Sequence, residues 1–465
     1  MSRGFNHSEW REAAVQHLLE HGVVDAHHHT LGRAQRKQRN PGLWDWLSES
    51  YLFLGSLRGA GLDAHTFLNP DLSDERRLVT LLDALKFTRA TTYYRVVDEG
   101  LRASFGLELK DLSESNWQAW DEVIRSANQR DDWFAEILVN RMNQRSGVLD
   151  RQVGGTLVDA INSIDGREVR NWYDYLIRIR PDRNASEVDG LTKKRSLDGQ
   201  PSKAAAKIDT LLYGWLRCTR EELKDLFGGD PQHIDDFDEY LGYVDGCLER
   251  LGSDDDIVAL KSAIAGVRSL YFPRRTETAA QKVFTLPLGQ VSAADVACFE
   301  DFVMDYICER AGELGLPVQF HTGTPFAGVQ DDRSGAPALL TGLIARHPDT
   351  KFDLMHGGYP YFRECATLAV RFPNVHLNLA WLTMMSDSDA RQALHSWLDQ
   401  VPVNKILWGG DCVFVEETLG AYLVAREQVI AVLGSKIAQA QIGPDEALLC
   451  LERIFCDNAR QLFSL

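Results

Sequence analysis

From residue 257 onward the chain repeats one pattern five times, a short apolar segment of strand character followed by a longer amphipathic helix. That rhythm limits the fold more than any other feature. The strand segments are 257–260, 316–320, 351–355, 374–378 and 405–408, and the helices 293–314, 336–346, 360–371, 389–400 and 416–433. A helix between successive strands makes the strands parallel, and parallel strands are buried on both faces, which explains why these runs do not alternate with polar residues. Val23 and Val24 begin an earlier strand, 147–150 reads as a second, and Tyr175 to Arg180 as a third. The total reaches eight. The expected fold is therefore α/β, a (β/α)8 TIM barrel with a large helical insertion after the first strand, in preference to a doubly wound open sheet.

The chain divides accordingly. Residues 1–42 hold a helix at 8–21, the first strand and a basic Gly/Pro-punctuated loop from Arg33 to Gly42. Residues 43–145 form a helical cap, with the stripes Leu78, Leu81, Leu82, Leu85 and Trp117, Trp120, Ile124 at helical spacing, read as packing core. Residues 146–465 supply the rest of the barrel. Within them 181–203 read as a polar excursion, helices are expected at about 204–226 and 234–251, the second begun by Asp235 or Asp236, and a terminal helix at 444–463 is begun by Pro444 and Asp445.

With 50 Lys and Arg against 67 Asp and Glu, the formal net charge is −17, which argues against nucleic acid or an anionic membrane as partner and leaves a small-molecule substrate. No run of about 18 apolar residues is present, so no membrane-spanning helix is expected. The eight cysteines form no CxxC pair, and the polar start of the chain lacks a signal-peptide core, which together suggest the cytoplasm. A homo-oligomer is compatible with the sequence.

In such barrels the chemistry lies at the C-terminal ends of the strands. His27 and His29 end the first strand and share one face, with His28 on the other. Lys261, His321, His356 and Asp411 follow later strands. A single histidine so placed is more often structural, but four histidines and an aspartate at strand ends point to a metal site. Imidazole with carboxylate suits Zn²⁺ best, with Mn²⁺, Fe²⁺ or Co²⁺ as alternatives. Asp411 is the candidate to take a proton from water, and His356 to ligate a second ion or donate to an oxyanion. Lys261 has three readings: a metal-bridging carbamate, an ammonium for a substrate carboxylate, or a solvated lysine. Arg268 and Arg178 are candidate anion clamps, and Tyr359, in the tight Gly357-Gly358-Tyr359-Pro360 loop, a candidate pocket wall.

The pattern Asp25-x-His27-x-His29, then Lys261, His321, His356 and Asp411 in that order, resembles the amidohydrolase superfamily. The resemblance is nearest to its amidohydrolase-2 group through 260–265, 317–324, 356–364 and 407–411, and there to the amidohydrolase domain fused to glutamine synthetase-like proteins. The stretch from Tyr93 to Leu109, with Ser104-Phe105-Gly106, is similar to uronate isomerases. Asp411 is followed by Cys412-Val413-Phe414 instead of the Ser-Arg pair expected of such an isomerase. The resemblance implies a mono- or binuclear metal centre with ligands from the first, fourth, fifth, sixth and eighth strands. His27, His29 and Asp411 would hold the principal ion, His321 would be a further ligand, and His356 a second-ion ligand or oxyanion stabiliser. The expected activity is hydrolysis of an amide, lactone or ester bond by metal-bound hydroxide. A non-oxidative decarboxylase and an aldose–ketose isomerase of the uronate type are the alternatives.

Overall fold

The computed structural model describes residues 6–63, 67, 72–151, 197–212, 223–224, 227–287, 290–324 and 331–465. Eight strands pair in sequence order, each with the next and all in parallel: β1 (Val23–His28), β2 (Gln144–Asp150), β3 (Lys203–Lys207), β4 (Ile257–Ser262), β5 (Val318–His321), β6 (Phe352–Met355), β7 (Val375–Asn378) and β8 (Ile406–Leu407). Beyond β8 the chain runs beside β1. Ala26 N–H donates to Trp408 O (3.1 Å), Asp411 N–H to His27 O (2.7 Å) and His29 N–H to Cys412 O (2.9 Å), which nearly closes the barrel.

Inside, Val24, Ala26, Val148, Ala205, Ala259 and Leu407 cluster with Cys456, Ala459, Leu462 and Phe463, so the end of the chain plugs the barrel beneath small strand residues. A polar belt crosses the interior as well. Gln319 donates to Ala26 O (3.0 Å) and to Asp353 (2.9 Å), and Asn378 donates to the same Asp353 oxygen (3.0 Å). Gln319 and Asn378 thereby place their amide N–H groups on partners where water cannot reach.

Between β1 and β2 the described chain is mainly helical, including Leu43–Glu49, Asp74–Thr88, Thr92–Phe105 and Trp117–Gln129. These helices bury Trp46, Leu78, Leu81, Leu101 and Ile124 in a second core that they share with Trp381, Phe414, Ala421 and Val424. The insertion docks on helix Val415–Ala438, which follows β8. At the crossing a Cβ on Gly100 would lie 2.5 Å from Glu416 O, and one on Gly420 would collide with Val96 O, so only glycine lets the backbones meet. Alongside, the buried Arg36 guanidinium forks onto Glu416 (3.1 and 2.5 Å), which also accepts from Trp133 Nε1 (2.6 Å).

Four expectations are corrected. The third strand of the described barrel is Lys203–Lys207, where the polar excursion was expected to end and a helix to begin; the expected strand around Tyr175 lies outside the described residues. Lys-Ala-Ala-Ala-Lys favours a helix by intrinsic propensity, but its alanines are buried between β2 and β4, and that pairing decides. The basic loop after β1 contains a helix, Arg33–Arg39, and β2 starts three residues before the expected strand. The helix expected at 234–251 is Phe237–Gly252, capped by Asp236.

Gly420→Ala is expected to destabilise the chain by about 1–3 kcal/mol through overpacking, read as a lower urea midpoint at unchanged m value. A second expectation concerns acid. Asp387 is half-buried, which would raise its pKa, but Arg391 (2.7 Å) and Arg95 (2.6 Å) overcome this and lower it from 3.8 to about 2. A depressed carboxyl stabilises fully above its unfolded pKa and loses that contribution as pH falls through the folded value. Urea titrations from pH 5 to pH 2 should therefore show a loss of stability that is smaller in Asp387→Asn.

Candidate metal centre

His27 and His29 leave the end of β1, and Asp411 follows β8 by four residues. The backbone bonds between 26–29 and 408–412 bring them face to face. Two side features hold this join. Gly409 has no Cβ, and one there would lie 2.9 Å from His27 N. Asp25, wholly buried, accepts Gly410 N–H (2.7 Å) and His27 N–H (3.2 Å) on one oxygen. Burial raises its carboxyl to about 7 against the opposing pull of those N–H groups.

The result is a triangle of donor atoms. His27 Nε2 lies 3.2 Å from His29 Nε2 and 3.3 Å from Asp411 Oδ1, and His29 Nε2 lies 3.1 Å from the same oxygen. Tetrahedral ligands on bonds of about 2.0–2.1 Å stand about 3.3 Å apart, so the three atoms are spaced as ligands of one ion. Asp411 Oδ1 is buried and makes no proper hydrogen bond to the described residues, as do the Nδ1 atoms of both histidines. Burial would raise the Asp411 carboxyl, but contact with His27 and His29 and the nearness of His356 hold it well below the usual range. His27 is lowered to about 4, by burial first and the Lys261 charge second, so near neutrality it offers a lone pair. An anionic oxygen beside imidazole lone pairs fits a divalent cation.

His321 and His356 lie beside the triangle, their rings 4.2 Å apart, with His356 6.5 Å from His27. Each is hydrogen-bonded to a carbonyl, which can only accept: His356 Nδ1 to Ala380 O (3.1 Å) and His321 Nε2 to Thr324 O (3.0 Å). Those bonds place the protons on Nδ1 of His356 and Nε2 of His321 and leave the other nitrogens as lone-pair donors. Lys261, on β4, is buried against Met355 Sδ; burial lowers its pKa, opposed by Asp150, Asp411 and Asp353.

The other predicted site residues are placed differently. The Arg268 guanidinium is taken up by Glu300 (3.1 Å), Asp301 (2.6 Å) and three backbone carbonyls, so it is not available to clamp a substrate. Tyr359 is half-buried next to the His356 turn, its carbonyl accepting Thr324 N–H (2.7 Å). Arg178 lies outside the described residues.

Sequence reasoning missed Tyr51, which the insertion delivers to the centre: its hydroxyl donates to Asp411 Oδ2 at 2.7 Å, while its backbone N–H is held by Glu417 (3.1 Å). Trp381 stands between Tyr51 and His356, its ring 5.2 and 5.4 Å from theirs. No local pattern marks Tyr51. Asp150 was missed too, although the strand-end rule points to it: it ends β2, is buried, and lies 3.9 Å from His29 Nδ1. Three non-glycine residues with positive φ, His356 (62°), Trp381 (64°) and Asp411 (56°), follow β6, β7 and β8 at this end of the barrel. Such conformations cost about 1–3 kcal/mol each and persist where the surroundings over-determine them.

Residues 285–465 match the family model described as Amidohydrolase. That span contains His321, His356 and Asp411 but not His27, His29 or Lys261. Protein FluG of Emericella nidulans is 32% identical over 151 residues, which are 32% of this chain and 17% of that protein's length. Among solved structures, the uronate isomerase of Thermotoga maritima superposes with a TM-score of 0.69 at 15% identity, covering 100% of both chains. The glucuronate isomerase of Caulobacter crescentus superposes with a TM-score of 0.72 at 15% identity, covering 98% of this chain and 94% of its own. These two likenesses show a shared fold.

His27→Ala or His29→Ala should abolish binding of one transition-metal ion, measured by elemental analysis of chelator-free protein. His28→Ala should keep that ion, since His28 is turned to Thr30 (2.9 Å) and Ser202 (3.0 Å), but lose about 1–3 kcal/mol of stability by leaving those partners unsatisfied.

Proposed function

With the chain assigned to the amidohydrolase superfamily, an assignment the match over residues 285–465 and the barrel support, we propose that it is a metal-dependent hydrolase. Its substrate is a small polar molecule with an amide, lactone or ester bond. The observation that carries this reading is the ionised Asp411: Oδ1 faces two imidazoles, and Oδ2 is held by the Tyr51 hydroxyl. His27, His29 and Asp411 would hold the principal ion, most suitably Zn²⁺, with His321, His356 and Lys261 the candidates for a second. A divalent ion there supplies Lewis acidity, which acidifies water and polarises a carbonyl beside it.

The chain's own groups do the rest. Asp411 accepts the proton of the attacking water and passes it to the leaving group. The Tyr51 hydroxyl fixes the carboxylate's orientation and favours its charged form. His356, with its proton committed to Ala380, serves as a ligand and not as an oxyanion donor. Trp381 and Tyr359 wall the site and limit the access of bulk water. The seven described cysteines are all unpaired, in keeping with a reducing cytoplasm.

A second reading has one observation in its favour. A phenol hydrogen-bonded to a carboxylate, as in Tyr51 and Asp411, could also move a proton between adjacent carbons of a sugar acid, the chemistry of an aldose–ketose isomerase. Substrate screening separates the two. Chelator-free protein should hydrolyse at least one small amide, lactone or ester and leave uronates unchanged; ketose formation from a uronate, or release of CO₂ from an aromatic acid, would overturn the hydrolase reading. Asp411→Asn retains an oxygen donor but accepts no proton, so it should keep the metal while turnover falls about 10²–10⁴-fold. Near-wild-type turnover would remove Asp411 from its role.

A further inference from the structure

We infer that His21, Cys456 and Asp457 form a second metal site, a structural one for a borderline-soft divalent cation such as Zn²⁺, at the opposite end of the barrel. Helix His7–His21 ends two residues before β1, so His21 lies at the start of the strand whose far end carries His27. The strand from Val23 to His27 alone spans about 13 Å between them. The partners come from the π-helical turn Arg453–Asp457, which runs under β1 and β8, with Trp408 N–H donating to Ile454 O (3.0 Å).

The donor atoms already converge. One ligand atom each from His21, Cys456 and Asp457 lies within 4.8 Å of the others, and His21 Nε2 is 3.1 Å from Asp457 Oδ1. Glu452 Oε1 stands 3.8 Å from Nδ1 of the same ring. When Nε2 is given to a metal, Nδ1–H faces this carboxylate, the arrangement that fixes the orientation of many zinc-bound imidazoles. His17, one turn back on the helix, stacks parallel to His21 (centroids 6.1 Å apart, planes 5° apart) and holds the same Glu452 oxygen at 2.8 Å.

The chemistry of the set is selective. One nitrogen, one sulfur and one oxygen favour Zn²⁺ or Co²⁺ over the hard cations Mg²⁺ and Ca²⁺. Cys456 is almost fully buried, whereas His21 and Asp457 expose about a quarter of their side chains, so an ion can enter from solvent and come to rest on the thiolate. On binding, Cys456 releases its thiol proton to solvent, and the His21–Asp457 hydrogen bond is replaced by two bonds to the ion. At this end of a barrel, side chains serve stability. An ion here ties the first helix to the segment that plugs the barrel floor.

Cobalt titration of the chelator-treated full-length chain tests the site. The His, His, Asp centre offers no sulfur, so thiolate-to-cobalt charge-transfer absorption in the near ultraviolet would report Cys456. The expected result is that band in wild type and in His27→Ala, and its loss in Cys456→Ser. Cys456→Ser should also bind one equivalent less Zn²⁺ than wild type at unchanged turnover. Should that variant fail to fold, His21→Ala must bind one equivalent less and show a weakened band. Absence of the band in wild type, its survival in Cys456→Ser, or equal zinc content in wild type and a folded variant would overturn the proposal.

Discussion

The interaction on which the rest depends is the short backbone pairing between 26–29 and 408–412. It nearly closes the barrel and juxtaposes His27, His29 and Asp411 with the same bonds. Asp25 secures it from below by accepting an N–H from each side, and Gly409 permits it by lacking a side chain. Closure and site assembly are therefore one structural event. Geometry that would be imprecise on mobile loops is set here by main-chain hydrogen bonds on a rigid scaffold.

The electrostatics follow from the burial this imposes. Desolvation disfavours charge on three of the imidazoles at the strand ends: His27, His321 and His356 are all shifted down. Asp411 keeps its charge through its contact with His27 and His29, the nearness of His356 and the Tyr51 hydroxyl on its other oxygen. Imidazole nitrogens and one anionic oxygen converging within hydrogen-bond distance create a demand for positive charge at one point. The Tyr51 hydroxyl meets part of that demand from the side of the insertion, which makes the cap a part of the site and not a decoration on the barrel.

How much of this was legible in the sequence depends on how local each cause is. Strands β5 to β8 were readable because a parallel strand buried on both faces is a short apolar run, and each is bracketed by helices with clear periodicity. The same logic located His321, His356 and Asp411, since position after a strand is a local property. β3 was not readable: the alanines at 204–206 carry no strand signal, and the two neighbouring strands determine their conformation. Tyr51 was hidden for a related reason, since 360 residues separate it from Asp411 and only the docking of the insertion on helix Val415–Ala438 unites them. Arg268 illustrates the converse. Its place after a strand suggested a role at the site, but Glu300 and Asp301, on helix Ala293–Leu314, claim its guanidinium.

The hydrogen bond from Gly410 to Asp25 spans 385 residues. Since synthesis proceeds from the N-terminus, a growing chain carries His27 and His29 exposed together long before Asp411 exists to complete the triangle. Two imidazoles without the carboxylate form a weaker and less discriminating pair. If the triangle holds an ion as proposed, this order of appearance delays its firm capture until the eighth strand has been made and seated, so a chain truncated before Asp411 would lack the third ligand.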